Sequence, residues 1–375
     1  MINSLINRNK KSIKIDKIRD CSGNTATSPQ VIANKFNEYF ANIAGKLKTE
    51  TNITQGVSDP CHFLNSSNTN SIYLEPTNST EILLIIDDLK IKATSDINVA
   101  TIKNATKSSP IFSQVIADII NASLLEGNFP SALKTAKVVP IHKGGSKIEI
   151  ENYRPISLLM AFSKIYEKVM YQRVYNFLTH NNILIENQFG FRRGMSCEHA
   201  LLTAQSEILT SLNKKQISIL LLIDFSKAFD MVDHDILLTK LYHYGIRGIA
   251  HAWIKSYLSG RKQYVALNNK TSSILDMIYG VPQGSILGPI LFIIYINDIP
   301  NICNLSKFIL YADDANILIT GENFTEIETK LKKLTGNLEK WVNTNGLALN
   351  LKKQIIWYSQ SVSFHSNPKY MIETL

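Results

Sequence analysis

An α+β fold, with a mainly antiparallel sheet backed by helices, follows from two features of this 375-residue sequence. Through its second half, short apolar runs of strand length alternate with segments of helical periodicity. The strand-like runs also end in acid. Leu220-Leu221-Leu222-Ile223-Asp224-Phe225 is one such run, and Tyr311-Ala312-Asp313-Asp314 lies between two others, Lys307–Leu310 and Ala315–Ile319. The second site reads as a strand, a tight acidic turn and a returning strand.

Taken in chain order, residues 1–27 are polar and basic and predict little regular structure. Ser28 as N-cap, Pro29 in the first turn, and Ile32, Phe36, Phe40, Ile43 and Leu47 at helical spacing then predict a helix. Thr49–Ser71, rich in Asn, Ser and Thr, reads as a linker. Helical patterns resume over Thr80–Leu89 and again after Ser109-Pro110, with Ile111, Val115, Ile116 and Ile119 assigned to one face. Lys137–Ile141 is strand-like and leads into the basic glycine turn His142–Lys147, and a long helix is expected over Ser157–His180. Strands are then expected at 217–224, 264–268, 274–279, 307–311 and 315–319. The intervening helices are expected at 234–243, 249–258, 285–296 and 325–344, the last closed by Gly346. Trp253, Tyr257 and Trp341, at helical spacing, fall to core or half-buried positions.

The formal charge of +9 and a pI near 9.1 favour a polyanionic partner. Cys21, Cys61, Cys197 and Cys303 form no CxxC pair, so the sequence speaks against a zinc site or a disulfide framework and for a reducing compartment. The N-terminus has no apolar signal core. The most hydrophobic stretch, Ile286–Ile296, is interrupted by Gly288-Pro289 and is too short to span a bilayer. A soluble, intracellular protein with no membrane partner is expected.

Two buried strands that each deliver a carboxylate at the tip are what two-metal phosphoryl transfer requires. Magnesium prefers hard oxygen ligands, commonly a few carboxylates completed by water and substrate phosphates. Asp224 with Asp313 and Asp314 can supply them if the strands lie side by side. Neighbouring strand residues point to opposite faces, so one of Asp313 and Asp314 is expected to bridge the metals while the other assists. Asp230 and Asp233 follow too far along to be first-choice ligands.

At this point the residues carry a resemblance. Leu222-Ile223-Asp224-Phe225-Ser226-Lys227-Ala228-Phe229-Asp230 resembles motif A of the reverse transcriptases of non-LTR retrotransposons. Val281-Pro282-Gln283-Gly284-Ser285-Ile286-Leu287-Gly288-Pro289 resembles their motif B, and Tyr311-Ala312-Asp313-Asp314 their motif C. Pro140–Lys143, Asn152–Ser157 and Gln188–Arg192 match the fingers motifs of the same group, and the order and spacing resemble those of jockey-like mobile elements closely. The resemblance covers residues 136–353.

The resemblance implies an RNA-directed DNA polymerase with right-hand architecture, limited to fingers and an antiparallel palm sheet behind an N-terminal helical extension. Residues 1–110 would form that extension and 121–375 the reverse transcriptase domain, with fingers at 121–215 and palm at 216–375. It implies two Mg²⁺ ions, with Mn²⁺ as a substitute, and an RNA template, a DNA primer and dNTPs as partners. Asp224 and Asp313 would be the metal-bridging carboxylates with Asp314 beside them. Phe229 would be the steric gate, whose ring would collide with a 2′-hydroxyl. Gln283 and Gly284 would line the nucleotide pocket, and Lys143 and Arg154 would neutralise the triphosphate. Arg192 and Arg193 would meet template or phosphate backbone. Lys353, or equally Lys352, would be the proton donor to pyrophosphate, although Gln354 stands where the family usually has Thr.

No primer grip, thumb, zinc knuckle or endonuclease region is legible, so the chain reads as a fragment or degenerate copy of a longer element protein. The rival reading is a catalytically inactive remnant that at most binds RNA. An intron-encoded maturase or an RNA-copying RNA polymerase is a third, disfavoured by the motif wording and by the bulk of Phe229. Nuclear residence would follow only from the life cycle of such an element.

Overall fold

The computed structural model describes residues 15–51, 59–65, 67–89, 98–350 and 355–359. The expectations for residues 1–14 and for Lys352 and Lys353 lie outside that set. A short pairing of β1 (Ile18–Arg19) with β2 (Thr25–Ala26) leads into α1 (Pro29–Glu50), followed by α2 (Ser79–Asp88), α3 (Asn98–Ser108) and α4 (Pro110–Glu126). Then come β3 (Thr135–His142), β4 (Tyr153–Leu158), α5 (Ala161–His180), α6 (Cys197–Asn213) and β5 (Ile217–Asp224). The chain continues through α7 (His234–His243), α8 (Gly248–Leu258), β6 (Arg261–Leu267), β7 (Lys270–Thr271), β8 (Leu275–Met277) and α9 (Leu287–Tyr295). It closes with β9 (Ser306–Tyr311), β10 (Asp314–Gly321), α10 (Phe324–Thr344) and β11 (Ile355–Ser359).

Mixed helix and sheet is therefore the observed class, built on two sheets. One is antiparallel throughout, in the order β11-β5-β10-β9. The other runs β4-β3-β6-β7 with β8 also on β6, and here β3 and β6 lie parallel. Alternation decides which face of the first sheet is buried: Ala315, Ile317 and Ile319 of β10 join Leu221 and Ile223 of β5 in the main core. Helix α9 is buried along nearly its whole length in the same core, packed on α5 and α7. Trp253, Tyr257 and Trp341 are all core residues, fully shielded from water. Among the described residues no helix is long and apolar enough to cross a membrane.

Two local expectations give way to the structure. Ser157 lies in β4, because Tyr153, Pro155 and Ser157 alternate inward with period two, and the helix starts only at Ala161. In α4 the buried stripe is Ile116, Ala117, Ile120 and Leu124, while Ile111, Val115 and Ile119 face solvent. That helix is apolar nearly all round, so periodicity fits either stripe, and the packing of α2, α3 and α8 selects one.

Helix α1 is built into the molecule. Ile32, Ala33, Phe36 and Phe40 form a second apolar cluster with Val138 of β3, Tyr153 of β4 and Val265 and Leu267 of β6. Asn37 donates to the Ser273 carbonyl at 2.8 Å and accepts from the Gln263 amide at 3.1 Å. At the far end Lys48 is buried against Asp233 at 2.7 Å and lies over the Tyr279 ring. Asp233 also caps α7, accepting from the backbone N–H groups of Asp235 and Ile236. A second ion pair, Lys240 with Asp298 at 2.7 Å, is completely buried, and the ammonium also donates to the Tyr295 carbonyl.

Candidate active site

Three carboxylates gather at one end of the antiparallel sheet. The β5–β10 ladder runs from Ile217↔Gly321 to Asp224↔Asp314, so the last pair places two aspartates opposite each other. Directly opposed residues project to the same face of a sheet. Asp313 occupies the two-residue turn between Tyr311 and Asp314, which pair across the hairpin. Ala312 beside it sits at φ +57°, a left-handed conformation that costs a non-glycine residue about 1 kcal/mol. Asn350 donates its amide to Asp224 Oδ2 at 2.8 Å, and its backbone N–H to the Asp224 carbonyl at 2.9 Å.

Burial, and then the neighbouring charges of Asp314 and Asp224, hold the Asp313 carboxyl above the usual carboxylate range, while Arg154 pulls the other way. Crowded like charges on hard oxygen donors are a chemistry that a divalent cation relieves. Among the described residues no three His, Cys, Asp or Glu side chains converge as a cage. Magnesium does not require one, since it is commonly bound through one or two carboxylates plus substrate phosphates. The donor set fits such an ion.

The acidic hairpin is clamped from the side by residues 187–190. Phe189 N–H donates to the Leu310 carbonyl and Leu310 N–H to that of Asn187, each at 2.8 Å. The Gln188 side-chain oxygen accepts from Gly190 N–H at 2.8 Å and from Ala312 N–H at 3.1 Å, so it holds the turn itself. Gly190 admits nothing larger: a Cβ there would stand 2.1 Å from the Ala312 nitrogen. The two arginines that follow are engaged within the protein. Arg192 donates to the Ile185 carbonyl at 2.6 Å, and the Arg193 guanidinium lies over the Tyr175 ring with its centre 4.8 Å away.

A second group lies where the turn after β5 meets residues 280–284. Gly280 N–H donates to the Val232 carbonyl at 2.8 Å and Val281 N–H to that of Phe229 at 2.9 Å. The half-buried Phe229 ring stacks on Phe292 with centroids 4.5 Å apart, and the ring of Phe191 meets it edge-on at 6.0 Å. Gln283 donates its amide to Asp230 Oδ1 at 2.8 Å, while its backbone carbonyl accepts from Ser157 N–H. Gly284, at φ +123°, leaves room for the Ser157 carbonyl, which a Cβ would approach to 2.6 Å.

Lys143 and Arg154 are exposed across from this group, and Lys227 joins them. The Lys227 ammonium lies 3.4 Å from the Tyr153 carbonyl and over the Tyr39 ring. Burial, helped by the positive charge of Lys143, pushes its pKa down to about 8. The start of α9 is capped from α5: the fully buried Glu167 accepts from the N–H groups of Ile286 and Leu287 at 2.7 and 3.2 Å and from the Ser163 hydroxyl.

Residues 141–366 match the family described as reverse transcriptase (RNA-dependent DNA polymerase). The chain belongs to that family. It is 32% identical over 321 residues to the probable RNA-directed DNA polymerase from transposon BS of Drosophila melanogaster, covering 81% of this chain and 33% of that protein. It is 28% identical over 284 residues to the probable RNA-directed DNA polymerase from transposon X-element of the same fly, covering 74% and 31%. To the RNA-directed DNA polymerase from mobile element jockey it is 29% identical over 248 residues, covering 64% and 27%. The chain thus spans about a third of the length of the curated relatives it matches.

Sequence reasoning singled out the three carboxylates, Phe229, Gln283 and Gly284, and assigned no role to four residues of their surroundings. Gln188 and Asn350 bond the acidic turn and Asp224, Glu167 caps the helix after Gly284, and Lys227 lies beside Tyr153. Gln188 and Lys227 stood inside quoted motifs, and Asn350 just before the expected proton donor. Glu167 carries no local signal, being one acid on a long helix.

Proposed function

We propose that this chain is the polymerising part of an RNA-directed DNA polymerase of a non-LTR mobile element. It would join a dNTP to a primer 3′-hydroxyl on an RNA template and release pyrophosphate. The observation that carries the reading is the register that sets Asp224 against Asp314, with Asp313 on the adjoining turn. On this reading the β11-β5-β10-β9 sheet serves as palm and the β4-β3-β6-β7 sheet belongs to the fingers.

Asp224, Asp313 and Asp314 would hold two Mg²⁺ ions, or Mn²⁺ in their place, which when bound activate the attacking hydroxyl and offset charge on the leaving group. The protein's own residues do the rest. Asn350 fixes the orientation of the Asp224 carboxylate, and Gln188 fixes the backbone of the turn that carries Asp313. Lys143 and Arg154, with Lys227 close enough to feel both charges, supply positive charge for a triphosphate entering from the β3–β4 side. Phe229 presents an aromatic wall, braced by Phe292 and Phe191, against which a 2′-hydroxyl would clash. Gly284 lets backbone approach closely, and Gln283 offers an amide at the pocket edge.

Primer extension on a primed RNA homopolymer with Mg²⁺ or Mn²⁺ tests the proposal. Asp224→Ala and Asp313→Ala are each expected to lower the rate at least about a thousandfold, the loss that follows when a principal electrostatic group is removed, with unchanged thermal unfolding. Near-parental extension by either variant refutes the assignment. Template binding without any extension by the parent chain would instead establish the inactive remnant.

A further inference from the structure

We propose that Asp230 is a positioning residue: it fixes the side-chain amide of Gln283 so that the carbonyl oxygen, rather than the nitrogen, is left to face an incoming nucleotide. The inference rests on the polymerase reading for the nucleotide and on geometry alone for the contact. A glutamine amide offers two donors on one side and an acceptor on the other, and by itself either can turn inward. An ionised carboxylate accepts only. Asp230 Oδ1, 2.8 Å from Gln283 Nε2, therefore selects one of the two orientations.

The surroundings hold both partners in place. Backbone bonds from Gly280 to Val232 and from Val281 to Phe229 tie the two segments together on either side of the contact. A Cβ at Gly280 would come within 2.8 Å of the Asp230 carbonyl, so the chains touch with no side chain between them. Although part of the Asp230 residue reaches solvent, its Oδ2 is enclosed and has no hydrogen-bond partner among the described residues. Asp230, Gln283 and Ser157 line a cavity of about 20 Å³ with Phe40 and Ala44 of α1, room for one water. Burial pushes the Asp230 pKa up to about 6, opposed first by the Gln283 amide and then by the charges of Lys227 and Lys143, so the carboxylate is ionised above that pH. The position following the Phe229 gate is thus linked to the pocket residue on the facing segment.

A double-mutant cycle on the full chain tests the nucleotide role. Asp230→Ala is expected to raise the dNTP KM about tenfold with a smaller change in kcat, the effect of losing one charge-assisted hydrogen bond. In a Gln283→Ala background the same change is expected to alter KM by less than about twofold, because the two residues then act as one unit. Asp230→Asn, which keeps an acceptor but no longer imposes one orientation, is expected to fall between. It also serves as the reading variant should the alanine fail to fold. Equal KM effects in both backgrounds, or none in either variant, overturn the proposal.

The contact is tested separately by the side-chain amide resonance of Gln283 in glutamine-labelled protein. It is expected to shift with a midpoint near pH 6 in the parent and to be flat in Asp230→Asn. An amide that does not titrate in the parent overturns the contact. A titrating amide in a chain that extends no primer keeps the contact and overturns its nucleotide role together with the polymerase reading.

Discussion

Asp230→Asn should make the protein more stable, and the size of the gain follows from the burial of one carboxyl. Enclosure pushes its pKa from the ordinary 3.8 up to about 6, against the opposing influence of the Gln283 amide and of Lys227. The folded state therefore binds the proton more tightly than the unfolded chain does. Ionisation costs the folded state nothing below pH 4, progressively more as pH rises toward 6, and the full amount above it. At about 1.4 kcal/mol for each tenfold change in acidity, the full amount is about 3 kcal/mol. Asparagine keeps the acceptor for Gln283 and carries no charge, so that cost disappears in the variant.

Urea unfolding of parent and variant at a series of pH values reads the difference directly, provided the slope with denaturant is unchanged. The variant is expected to gain about 3 kcal/mol at pH 7.5 and roughly half of that at pH 5, where the parent carboxyl is already largely protonated. A variant that is no more stable at pH 7.5, or whose advantage fails to shrink on acidification, would refute the reasoning.

The other expectations concern packing and selectivity. Phe229→Val opens the wall braced by Phe292 and Phe191, and the preference for dNTP over rNTP should fall at least about tenfold in competition assays, the worth of one steric contact in a pocket. An unchanged preference would remove the gate role. Gly190→Ala places a methyl group 2.1 Å from backbone that cannot yield, so it should abolish extension and lower the thermal midpoint by several degrees, about 1–3 kcal/mol or more. Lys240→Met leaves Asp298 buried without its partner, and should cost about 3–5 kcal/mol in denaturant unfolding while Lys240→Met with Asp298→Leu recovers much of it.

Much of the framework was legible because its signals are local. Strand β5 and helix α7 fall where expected, at 217–224 and 234–243, since an apolar run interrupted only by Ser218 and an Asp233 cap fix them without outside help. The acidic hairpin was readable for the same reason. Helix α6 was not, because Leu201, Leu202 and Leu209 point outward while its buried residues include the small Ala200 and Ser211, so no apolar stripe marks it. Strand β4 was not legible, and its last two residues, Ser157 and Leu158, were assigned to the following helix, because its inward positions are Tyr153, Pro155 and Ser157 rather than aliphatic residues. At the site, side-chain identity was readable and partnership was not. That Asp224 faces Asp314 squarely, that Asp233 answers to Lys48 and that Asp230 answers to Gln283 are facts of tertiary contact between distant segments.

The seat of Lys48 has a practical consequence for anyone trimming this protein. A shortened chain beginning at residue 121, the domain boundary that the family resemblance implies, would strip a cation from beside Asp233 and leave an acid at the mouth of α7 with only backbone to neutralise it. It would also bare the greasy patch on β3, β4 and β6 that Phe36 and Phe40 now cover. Such a fragment would be expected to clump or misfold for reasons unrelated to its chemistry, and its silence in an assay would say nothing about the aspartates.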